Sequence, residues 1–164
     1  MSARGFSLIE ATLSIVLVGM MASAALAVVA GARRTEQMAA DRARAQLLAE
    51  EVLSEIAPLK YKEAGSLTIG IDASESTGNR NTWDDVDDAD GCSEAPPKDR
   101  TGTVHPGLTG WKRAVKVEWV DALDILGIGV VDSGLKRVTV TVSKGGRVVL
   151  KAVLMRSAAR EDYQ

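Results

Sequence analysis

The chain has 164 residues, with 20 Lys and Arg against 22 Asp and Glu, a formal charge of −2 and a single cysteine. That balance gives no electrostatic case for nucleic-acid binding, and a lone Cys92 excludes an intrachain disulfide. A zinc site would lack its usual four Cys or His ligands, and Gly127 and Gly129 form only a GxG without the third glycine of a dinucleotide loop.

The first ten residues read MSARGFSLIE, and Glu10 stands just inside an otherwise uncharged run that continues to Ala32. From Ala11 to Ala32 there is no charge and no proline. About 22 residues of helix span roughly 33 Å, enough for the roughly 30 Å hydrocarbon core of a bilayer. A secretory signal peptide, the competing reading, has a shorter apolar stretch and a more basic start than Met1 to Gly5, whose only charged side chain is Arg4. Loop charge does not orient the span: Arg33 and Arg34 on one side outnumber Arg4 on the other, and the N-terminal amine only brings the two sides level. Gly19, Ala22, Ser23, Ala24, Ala25, Ala27, Ala30, Gly31 and Ala32 are small enough for close helix packing in lipid, although helix formation by alanine explains most of them. An acid at the edge of such a span is costly without a positive partner, which marks the segment as an assembly element.

A short leader ending in Arg4-Gly5, followed by Phe6, Ser7, Leu8, Ile9 and Glu10, resembles the processing signal of type IV pilins and type II secretion pseudopilins. The resemblance implies that a prepilin peptidase cuts between Gly5 and Phe6 and methylates Phe6. It makes residues 1–5 a leader and Glu10 the fifth residue of the mature chain. It further implies that Glu10 pairs with the N-terminal amine of a neighbouring subunit, and that the protein works with an inner-membrane assembly platform. An α-amino group has an ordinary pKa near 8 and is mostly protonated at neutral pH, and a buried carboxylate is tolerable when paired. The implied placement is a single pass through the inner membrane, with the N-terminus cytoplasmic and the C-terminal part periplasmic.

After the span, residues 6–32, an amphipathic stem is expected over 33–57. Met38, Ala45, Leu48, Val52, Ile56 and Leu59 recur on one helical face, with Arg42, Arg44, Glu50, Glu51 and Glu55 largely elsewhere, and Pro58 ends the helix nearby. Residues 58–110 are rich in Gly, Ser, Thr, Asp and Pro and read as a long surface loop with one short strand candidate, Leu67 to Ile71. From Trp111 the period becomes two: Val115 and Val117 alternate with Lys116 and Glu118, and Val138, Val140 and Val142 with Thr139 and Thr141. Gly145-Gly146 suits a primed hairpin turn before Val148 to Met155. Leu126 to Val131 reads as either a connecting strand or a buried loop. The expected fold is therefore α+β, and the resemblance implies that it is pilin-like: one long N-terminal helix packed against a small antiparallel sheet over 111–156, with a polar tail at 157–164.

Asp84, Asp85, Asp87, Asp88 and Asp90 supply five carboxylates in seven positions and are the strongest candidate for local chemistry. Such a tract can hold calcium, a hard cation that takes oxygen ligands. Caps and turns made by individual Asp side chains account for it equally well. It is not an EF-hand loop, since Val86 falls where the first acid is needed. The stretch from Trp83 to Gly91, with Pro96, Pro97, Asp99 and Gly102, resembles an Asp-rich segment of the MshD-like minor pilins of the mannose-sensitive haemagglutinin system. Ala89 stands where that segment usually carries a second aromatic. Gly110-Trp111 leading into alternating strands also resembles PilV-like proteins and minor pseudopilins of the general secretion I class. No enzyme motif emerges around His105 or Cys92. The expectation is a non-enzymatic minor pilin or pseudopilin subunit. A periplasmic binding module tethered by its helix, with or without calcium, and a secreted protein cut near Ala30 are the other two readings.

Overall fold

The computed structural model describes residues 7–63, 65, 68–71, 76, 78–121 and 123–159. Gly5 and Phe6, the expected processing residues, lie outside them. The chain divides into two compact units, Met1–Asp41 and Arg42–Gln164.

Helix α1 covers Leu8–Ile56. In the first unit its side chains are exposed up to Ala40, although this stretch carries most of the apolar residues of the helix. By length and composition, α1 contains a window able to cross a membrane, with none of that window buried.

In the second unit, the remainder of α1 supplies Ala45, Leu48, Ala49, Val52 and Ile56, all buried. They meet Val115, Val117, Val138, Val140 and Val142 in one core cluster. Each fully buried Val, Leu or Ile is worth about 1.5–3 kcal/mol, so this seam holds the stem to the sheet. The last turn of α1 has no basic residue of its own. Arg156 provides one through the fold, donating to the carbonyls of Ala57, at 2.9 Å, and Leu59. That answers the unsatisfied carbonyls at the helix end.

The sheet has four strands in the order β1-β2-β3-β4, all antiparallel. They are β1 (Ser93–Glu94), β2 (Trp111–Trp119), β3 (Leu135–Lys144) and β4 (Arg147–Ser157). Gly145 and Gly146 turn β3 into β4 with φ of +55° and +79°, the left-handed pair that a type I′ hairpin needs. The α+β layout expected from the sequence is thus present, with β1 added from the Asp-rich region and Ser157 belonging to β4 instead of the tail.

Three local expectations are corrected. Residues 68–71 form no strand; Gly70, at φ +148°, breaks the extended run while Ile69 packs on the core. The segment around 80–94 is no surface loop, for Arg80, Trp83, Val86, Ala89, Cys92 and Glu94 are all buried. Leu126 to Val131 is neither strand nor buried: Leu126, Ile128, Val130 and Val131 are 63–89% exposed, and the backbone forms only an isolated bridge from Ile128 to Val120.

Candidate functional site

At the start of α1, Ser7 and Glu10 cap each other. The Glu10 backbone N–H donates to Ser7 Oγ at 3.4 Å, and the Ser7 N–H donates to Glu10 Oε2 at 3.2 Å. This reciprocal pair is a capping box, and its S-x-x-E signature is legible in the sequence. Glu10 therefore has a local role in starting the helix beside any role between subunits. Among the described residues it has no ionic partner, and it lies exposed. Its carboxylate sits at the positive end of the helix, where a negative charge is favoured.

The five aspartates do not converge on one point. Asp88 Oδ2 accepts the backbone N–H groups of Asp84 and Asp85 at 2.9 and 3.0 Å. Asp85 Oδ1 accepts the Asp87 N–H at 2.6 Å. Asp90 reaches across to β2, accepting the Val117 N–H at 2.8 Å and the Lys116 ammonium at 3.1 Å. Asp84 lies 3.7 Å from the Lys60 ammonium. Asp87 pairs with Lys136 at 2.8 Å. Burial pushes the Asp87 carboxyl up to about 6 against the pull of Lys136, and burial likewise raises Asp85. Lys136 is fully buried; it also donates to the Tyr61 carbonyl at 2.5 Å and stands 4.0 Å from the centre of the Tyr61 ring.

A cleft of about 240 Å³ opens beside this pair, with Trp119, Val130 and Asp132 on its wall. Burial opposes ionisation of Asp132, but hydrogen bonds from Lys62, at 2.7 Å, and the Tyr61 hydroxyl, at 2.6 Å, hold its carboxyl down to about 2. The aspartates thus fasten a buried loop to the sheet and to the segment after the stem. Among the described residues no group of three or more His, Cys, Asp or Glu side chains is arranged to hold a metal ion. Replacing Asp88 with alanine should strand two backbone donors and cost about 1–3 kcal/mol. Millimolar Ca²⁺ should leave the melting temperature of the unmodified full chain in micelles unchanged.

A second cluster, absent from the sequence-level candidates, lies under the stem. Arg80 donates to Glu55 at 2.8 Å, to Glu94 and to the Lys98 carbonyl at 3.1 Å. Arg113 donates to Glu94 at 2.6 and 3.0 Å, to Glu51 at 3.0 Å and to the Leu48 carbonyl at 2.9 Å. Both guanidinium side chains are 1% exposed. Three carboxylates face two arginines, and His105 Nε2 stands 3.1 Å from Glu51. Glu51 and Glu55, expected on the outward part of the stem, are the helix's side of this cluster. The available signal was phase: Arg113 falls in step with Val115 and Val117, and Lys136 with Val138 and Val140, on the inward set of their strands. Cys92 is buried, and its thiol is pushed up to about 11 by burial and then by Glu94. It remains protonated at neutral pH.

Comparison with protein-family models, curated proteins and solved structures returns no match.

Proposed function

We propose that this chain is a non-enzymatic minor pilin or pseudopilin subunit. In this reading a prepilin peptidase cuts it between Gly5 and Phe6. The mature subunit then joins a type IV pilus-like or type II secretion filament through its N-terminal helix at the inner membrane. The observation that carries the proposal is the pairing of an exposed, apolar helix start with one acid. Residues 8–32 hold a single charge, Glu10, whose carboxylate accepts the Ser7 N–H and has no ionic partner among the described residues. A bilayer gives the apolar side chains their solvent, and a neighbouring subunit's amine gives the carboxylate its counter-charge.

The second unit supports the same reading by what its charges do. Its buried arginine and aspartate clusters are committed to holding the stem and the 80–94 segment to the sheet, as a subunit with a rigid outer domain requires.

Mass spectrometry of the chain purified from membranes tests the proposal. The expected mature species begins at a methylated Phe6. A species beginning at Met1 would leave only the tethered-module reading, and one beginning near Ala30 would leave only the secreted one.

A further inference from the structure

The loop from Asp121 to Gly134 carries six large apolar side chains, Leu123, Ile125, Leu126, Ile128, Val130 and Val131, each between 63% and 99% exposed. Outward presentation is built into the backbone. Asp121 and Asp124 accept the N–H groups of Leu123 and Leu126 at 2.8 and 2.9 Å, turning the chain twice. Gly129 donates to the Trp119 carbonyl at 2.8 Å, and a Cβ added at Gly129 would come within 2.9 Å of the Val120 carbonyl oxygen. Gly129 holds the loop against the end of β2, Val130 and Val131 line the cleft beside Trp119, and all six apolar side chains stay exposed. Large exposed apolar surface marks an interaction site. Asp132 on its rim is paired with Lys62 at 2.7 Å and Arg137 donates to the Leu126 carbonyl at 3.1 Å, which leaves the exposed Asp121 and Asp124 as its acids without a salt bridge among the described residues.

The outward face of the sheet has the complementary character. The register places Lys116 beside Thr139 and Thr139 beside Val153 on one face, with Thr141 and Lys151 next to them. Val148, Val153 and Met155 are 57%, 55% and 37% exposed there; Lys116 pairs with Asp90 at 3.1 Å and Arg137 with Glu118 at 3.4 Å on this face, while the exposed Lys112 and Lys151 make no salt bridge among the described residues. One patch is apolar with an acidic rim, and the other is apolar with basic neighbours.

We propose that the 121–134 loop of one copy docks on the outward β2-β3-β4 face of a second copy of this chain. Loop against loop would set acid on acid, so the loop of one copy meets the face of the other. Made once per pair, this contact propagates from copy to copy or closes into a ring; made reciprocally, it closes a two-fold dimer. An anionic lipid surface is disfavoured by the same acidic rim. The inference stands apart from the processing and filament reading, because both patches lie within the second unit.

Cross-linking in membranes tests it with the full chain. Two differently tagged copies are co-expressed, one carrying Leu126→Cys and the other Val153→Cys, and treated with a short bismaleimide. Cys92 is 2% exposed, and the chain without added cysteines serves as the background. The expected product is a dimer bearing both tags, reduced about tenfold when Leu123→Asp is added to the loop-bearing copy. Cross-linking of Leu126→Cys copies to one another would show loop packed against loop and overturn the proposal. So would absence of the mixed product, whether the loop is then found on lipid, by a blue-shifted fluorophore at position 126 that survives dilution into excess lipid, or on no surface of this chain. The mass of the N-terminus is read on the same samples. Unprocessed copies that cross-link would sink the filament reading alone, and processed copies that do not would sink this one alone.

Discussion

Replacing Arg113 with alanine should destabilise the second unit by about 3–5 kcal/mol, the cost of breaking a buried ion pair from one side. Arg113 is 1% exposed and Glu94 5%. Removing the guanidinium leaves the Glu94 carboxylate with Arg80 and one N–H donor from Lys98 at 3.2 Å, and takes from the Leu48 carbonyl its tie to β2. Domains are stable by about 5–15 kcal/mol in all, so the loss would consume much of the margin. Denaturant melts of the full chain in micelles, followed by tryptophan fluorescence, should show a large drop in midpoint. Lys112→Ala, one position along on the outward face, should change stability by no more than about 0.5 kcal/mol. Equal effects of the two substitutions would show that the cluster does not hold the stem.

The second large effect is expected at Glu10, where the capping box separates two roles that a simple deletion would confuse. Glu10→Ala removes both the cap and the charge. Glu10→Gln keeps an acceptor for the Ser7 N–H, since glutamine also closes a capping box, but removes the charge. If Glu10 pairs with a neighbouring subunit's amine, both variants should fail to enter filaments while still inserting in the membrane and being processed. Helix content of the glutamine variant, measured by circular dichroism in micelles, should match the unmodified chain. Normal incorporation of Glu10→Gln would show that the acid serves only the start of its own helix and would remove the central support for assembly.

The two clusters also explain what was legible beforehand. The apolar run, the stem stripe, the alternating strands and the Gly145-Gly146 hairpin follow from local periodicity and turn chemistry, and each is recovered as an element. The capping box was equally legible in S-x-x-E, because its partners lie three residues apart. The burial of 80–94 was not. Its composition is that of a solvated loop, and only when Asp85, Asp88 and Asp90 take up backbone N–H groups does a polar segment go inside without stranded donors. The Arg80 and Arg113 ties join residues 14 to 65 positions apart, a separation that no window along the chain can read.

By itself, then, the sequence determined where the helix and the three long strands run, that the first helix segment is apolar enough for a bilayer, and that one acid marks its start. These are properties of neighbours in the chain, set by side-chain period and by hydrophobicity. Only the tertiary structure decided which charges are inside, that the aspartate tract is spent on backbone donors and on lysines, and that the 121–134 loop turns its apolar side chains outward. A charge enters a core only when a partner distant in sequence arrives to meet it, and the apolar side chains of the 121–134 loop stay outside because its backbone, held to β2 at Gly129, lies over the end of the strand.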